Sequence, residues 1–244
     1  MKKLINPISL YILPFLMFTG CINSWTNEHI VGNGNTTKKS ISTAEYDIIE
    51  VNGMMDIQLI NGKEGNIMVT ADDNLHAYII VEVKNNILYV NTKDNVNLKS
   101  EQGVTITVPI EEIYKMNVTG SGDIETKDKI ISDRMNLSVI GSGNINLSLN
   151  STEVDAEIVG SGDITLSGST DELTINILGS GDYKSFDFEA NNANVTVTGS
   201  GDAKVMAKET LVARVNGSGD IVYKGNPTKT DFESNGSGKI SAGN

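Results

Sequence analysis

The tetrapeptide Gly-Ser-Gly-Asp, or a close copy of it, stands seven times in the C-terminal half of this 244-residue chain. The marks begin at Gly120, Gly141, Gly160, Gly179, Gly199, Gly217 and Gly236, with intervals of 21, 19, 19, 20, 18 and 19 residues. A near-constant period of about twenty without a helical pattern is the signature of a solenoid of short strands, whereas a propeller blade needs roughly twice that length. The fold class expected is all-β: a solenoid of short stacked strands, preceded by a strand-rich N-terminal module.

The residues flanking each mark sharpen this. Alternate positions read Leu137, Val139, Gly141, Gly143, Ile145, Leu147 in one repeat and Ala156, Ile158, Gly160, Gly162, Ile164, Leu166 in the next. Side chains alternate faces along a strand. Both glycines of each pair therefore fall on the inner face with the aliphatics: Gly120 and Gly122, Gly141 and Gly143, Gly160 and Gly162, Gly179 and Gly181, Gly199 and Gly201, Gly217 and Gly219, Gly236 and Gly238. The serine and the last residue of each mark point outward. Those last residues are Asp123, Asn144, Asp163, Asp182, Asp202, Asp220 and finally Lys239. Stacked at roughly 4.8 Å per coil, the six intervals make a ladder about 29 Å long.

Upstream, Val51, Ile57, Leu59, Ile67, Val69, Val81, Leu88, Val90, Ile106 and Val108 also follow period two, and Asn85-Asn86 reads as a tight hairpin turn. We divide the chain into an N-terminal β module at 41–115 and a repeat β-helix at 116–244, forming one continuous domain. Residues 1–20, with Lys2, Lys3 and an apolar run too short to span a membrane, read as a signal peptide. The only cysteine, Cys21, follows at once, as in a bacterial lipoprotein, where it becomes the lipidated N-terminus. Residues 21–40, rich in Asn, Thr and Gly and containing Trp25, read as a flexible tether.

A formal net charge of −12 opposes nucleic-acid binding. The Gly-Asp corners raise calcium, but each mark offers at most one carboxylate where calcium wants six to eight oxygens. Hydrogen bonding of each Asp to nearby backbone N–H explains the column without a metal. Stacked carboxylates also resemble a glycosidase pair in spacing, yet any solenoid produces that spacing. His29 and His76 have no zinc or nucleophile companions. The expectation is no catalytic residue, no metal and no cofactor.

The opening stretch "YDIIEVNGMMDIQLINGKEGNIMVTADDN", the hairpin "VEVKNNILYVNT" and the series "VTGSGDI", "IVGSGDI", "VNGSGDIVYKGNPTK" and "GSGKI", in this order, resemble the head GIN domain family of bacterial auto-transporter adhesins. The resemblance covers about Ile41 to Ile240. It implies an exported right-handed parallel β-helix and an adhesive role, with no catalytic or ligand residues to carry over. The function expected is a non-catalytic, lipid-anchored adhesin or surface scaffold of the cell envelope, at the outer membrane. Its partners would be the membrane through the lipid, and a glycan or an envelope protein. The alternative is a carbohydrate-active β-helix enzyme or a glycan-binding module.

Overall fold

The marks are the corners of a parallel solenoid. The computed structural model describes residues 28–243. It opens with β1 (Glu28–Val31), β2 (Thr36–Ser42), β3 (Ile48–Gly53), β4 (Asp56–Asn61) and β5 (Asn66–Asp72). One 3-10 turn at His76–Tyr78 leads to β6 (Ile79–Lys84), β7 (Ile87–Thr92), β8 (Val96–Lys99) and β9 (Thr105–Ile110). The coils continue as β10 (Lys115–Gly120), β11 (Ile124–Gly141), β12 (Ile145–Gly160), β13 (Ile164–Gly179), β14 (Tyr183–Gly199) and β15 (Ala203–Gly217). They end in β16 (Ile221–Lys224), β17 (Lys229–Gly236) and β18 (Ile240–Ala242).

Each coil pairs in parallel with the next, and the alternation of the sequence becomes columns. Val118, Val139, Ile158, Ile177, Val197 and Val215 are register partners through six coils, and all are buried. Each such side chain contributes about 1.5–3 kcal/mol by leaving water. The interior is mainly aliphatic; Tyr183 and Phe188 are the large aromatics buried in the repeat part. The inward parity changes within the long strands at a second bend, as between Leu149 and Val154. Hydroxyls secure this bend. Ser151 Oγ shares its proton between the carbonyls of Asp133 and Glu153, at 3.2 and 2.9 Å. Thr170 Oγ1 does the same with Thr152 and Glu172, both at 3.1 Å.

The N-terminal end closes by switching from parallel to antiparallel pairing. Below the first coil, β7 lies parallel to β3 and β9 parallel to β4. The strand β6 then adds antiparallel to β7, β5 to β9, and β2 to β5. Asn85 and Asn86 take φ of 52° and 60° in the β6–β7 turn, the conformation a two-residue hairpin demands.

Two expectations are corrected. The tether does not extend to residue 40, because Glu28–Val31 and Thr36–Ser42 are strands, β1 on β8 and β2 on β5. Their polar composition reflects exposure rather than disorder: only Ile30, Thr37 and Ile41 are half-buried. The signal-peptide, Cys21 and Trp25 readings lie outside the described residues. The boundary at 115 also moves, since β3 and β4 are themselves the first coil, paired with β10 and β11. Residues 62–113 are an insertion between the first coil and the second.

Candidate functional site

The corner is built from backbone bonds between coils. The carbonyl of each first glycine accepts two N–H groups from the coil above: Gly141 O takes Ser161 N at 2.8 Å and Gly162 N at 3.1 Å. The same pair of bonds recurs from Gly53 O through Gly217 O. The outward carboxylates form a second ladder. Asp123 Oδ1 accepts Asn144 N at 2.8 Å, Asn144 Oδ1 accepts Asp163 N at 3.0 Å, and Asp163 Oδ1 accepts Asp182 N at 2.9 Å. The series continues through Asp182 and Asp202 to Asp220, whose Oδ1 accepts Lys239 N at 2.8 Å.

The two glycines of a mark are not equivalent, which corrects the expectation that both face the core alike. The first glycines, from Gly120 to Gly217, are half-exposed with φ of 121° to 143°, where L side chains are strained. The second glycines, Gly122, Gly143, Gly162, Gly181, Gly201, Gly219 and Gly238, are buried. A Cβ on Gly162 would lie 2.0 Å from Gly143 O and 2.7 Å from a methyl of Val139. Stacking, not turning, demands the second glycine.

The structure also contains a corner that the sequence reading missed. Gly53-Met54-Met55-Asp56 is in register below Gly120, with Gly53 at φ 117°. Asp56 Oδ1 accepts Asp123 N at 3.2 Å, so the ladder starts one coil earlier. The signal was Asn-Gly-x-x-Asp-Ile, the repeat's own ending, hidden by two methionines. Burial, and next the charges of Asp123 and Glu125, push the Asp56 carboxyl above its ordinary value, against the lowering effect of the Asp123 N–H.

The corner carboxylates are thus committed to the fold. Lys184 adds ion pairs to Asp163 at 2.6 Å and Asp182 at 3.3 Å. Among the described residues, no group of three or more His, Cys, Asp and Glu side chains is placed to hold a metal ion. No helix of the described residues is long and apolar enough to cross a membrane.

A groove lies elsewhere, on the outward face of the sheet formed by β3, β10, β11, β12 and β13, with a volume of about 430 Å³. Its floor is the register column Glu50, Asn117, Ser138, Glu157 and Asn176. A second cavity, at the second bend, gathers Tyr114, Ile131 and Arg134 with Asp47, Glu112 and Asp133.

These features define a class: a parallel β-solenoid whose repeated corner residues bond each coil to the next. The chain belongs to the family described as "Putative auto-transporter adhesin, head GIN domain", which matches residues 45–227. It is similar to the solved structure of a "putative adhesin" from Bacteroides fragilis, with 23% identity, a TM-score of 0.80, and coverage of 87% of this chain and 99% of that one. It is also similar to a "putative adhesin" from Parabacteroides distasonis, at 26% identity and a TM-score of 0.73, covering 88% of this chain and 100% of that one. A "putative lipid binding protein" from the same species aligns at 26% identity and a TM-score of 0.70, covering 89% and 100%. None of the curated proteins compared matches this chain.

Proposed function

We propose that this protein is a non-catalytic adhesin or surface scaffold of the cell envelope, exported and held at the outer membrane by a lipid on Cys21. The observation that carries the non-catalytic part is the corner ladder. The aligned carboxylates that could suggest an enzyme accept backbone N–H groups from the next coil. Family membership supports adhesion. A rigid solenoid with interlocked coils suits display, because it holds its outward side chains in fixed columns. The partners it fits are a glycan or an envelope protein.

Two measurements test this. Cys21→Ser is expected to release the protein from the membrane fraction or leave it unprocessed; unchanged fractionation and processing would sink the anchor. Cells expressing the protein are expected to adhere to glycan- or envelope-coated surfaces better than cells lacking it. Equal adhesion across such surfaces removes the adhesin reading.

A further inference from the structure

We infer that the groove over β3 and β10–β13 is a binding site for a neutral oligosaccharide lying along the solenoid axis; this deepens the adhesin reading and rests on it. The floor column runs Glu50, Asn117, Ser138, Glu157, Asn176 across five coils, about 19 Å at the spacing of paired strands. Every position is a carboxylate, an amide or a hydroxyl, so a chain of hydroxyl-bearing rings meets a hydrogen-bonding group at each step. Asn117 Nδ2 reaches Glu50 Oε1 only at the 3.5 Å limit, so this pair is held weakly and both groups can turn to a ligand hydroxyl.

Beside the floor runs an aliphatic rail. Ile140, Val159 and Leu178 are successive register partners. Ile140 is 47% exposed and Leu178 55% exposed, on a face where the neighbouring outward residues are polar. Apolar strip next to polar row is the division a sugar ring presents, with its C–H face on one side and hydroxyls at the edge. Specific small-molecule sites combine apolar contact with a few fixed polar groups in the same way.

Charge and geometry exclude the rivals. The groove carries Glu50, Asp155 and Glu157 against Lys115, so it repels anionic polymers and anionic lipid headgroups. A peptide adding as a strand needs a free sheet edge, whereas these strands are mid-sheet with both neighbours paired. A folded protein partner usually brings a broad apolar centre, and the rail is one residue wide.

The test is calorimetric titration of the purified protein with cellohexaose, chitohexaose and mannohexaose, alongside polygalacturonate and hexalysine. At least one neutral hexasaccharide is expected to bind, and more tightly than its disaccharide. Glu157→Ala with Asn176→Ala is expected to weaken it tenfold or more at an unchanged melting midpoint, and Leu178→Ser to weaken it several-fold. The inference is overturned if no neutral hexasaccharide binds, if binding is unchanged in the double variant, or if hexalysine or polygalacturonate is the only ligand. Cell adhesion is scored separately. Adhesion without hexasaccharide binding removes the glycan site and leaves the adhesin reading; hexasaccharide binding without adhesion does the reverse.

Discussion

The first corner and the later ones share a backbone but not a sequence. At Gly53-Met54-Met55-Asp56 the third residue is a methionine, fully buried; at every later mark it is glycine. The difference lies in what is stacked beneath. Under Gly143 sits the Gly122 carbonyl, 2.1 Å from where a Cβ would be. Under the first coil, the β3–β7 register ends at Val51 and Val90, before the corner, so Met55 has room and fills it. The first position behaves oppositely. Gly53 has no atom closer than 3.8 Å to an added Cβ, yet it keeps φ 117°. The second glycine of the mark is therefore fixed by its neighbour, and the first by its conformation in every coil and by its neighbour as well once a corner lies beneath it.

Substitutions can separate the two causes. Gly160→Ala meets both, since φ is 126° and the new Cβ would lie 2.4 Å from Gly141 O. Strain of about 1–3 kcal/mol and overpacking of about 1–3 kcal/mol should sum to the largest loss, read from urea unfolding. Gly162→Ala meets only crowding and should lose about 1–3 kcal/mol, more for valine. Gly53→Ala meets only the dihedral and should lose about 1–2 kcal/mol, the lower part of the strain range. If Gly53→Ala proves as damaging as Gly160→Ala, crowding contributes nothing and the comparison breaks.

The smaller effects concern the carboxylate ladder. Asp163→Asn retains an oxygen for Asp182 N, as Asn144 already does for Asp163 N at 3.0 Å. It gives up an exposed ion pair with Lys184, worth about 0–1 kcal/mol. A change within about 0.5 kcal/mol is expected, with a melting midpoint indifferent to chelator or millimolar calcium. A calcium-dependent rise that vanishes in Asp163→Asn would falsify the structural role of the column.

The same comparison explains what the sequence made legible. The repeat was readable because stacking forces each coil to repeat its neighbour's glycine, aliphatic and acidic positions. Columns such as Ile158 above Ile177 and the outward Asn176 follow from parity alone. The first coil was hidden because, with no corner below, the second position has room for a side chain, and Met54-Met55 breaks the motif. The strands β1 and β2 were hidden because each pairs on one side only, and an edge strand in water can be written in Thr, Lys and Ser. The groove was hidden for a third reason. Glu50, Asn117, Ser138, Glu157 and Asn176 become one row only through register, and residues 62–113 separate the first from the second.

The smallest expected effect is a pH dependence at the first corner. Burial raises the Asp56 carboxyl, and the charges of Asp123 and Glu125 add to the rise. A carboxylate whose folded value exceeds its unfolded one binds its proton more tightly in the folded state. Its contribution to stability is then fully present below the unfolded value, about 3.9 for Asp, and is lost as pH rises through the folded value. At neutral pH the ionised Asp56 is a cost. Asp56→Asn removes that cost while keeping an oxygen for Asp123 N. The variant should therefore be at least as stable as wild type at pH 7, with wild type gaining on it as the pH falls through the region just above the ordinary carboxylate range. Glu64, also raised mainly by burial, titrates in the same direction in both proteins and cancels in the difference. Urea unfolding of the pair at pH 7, 6, 5 and 4 measures that difference directly. A difference that does not move with pH removes the assignment of a raised carboxyl to the first corner.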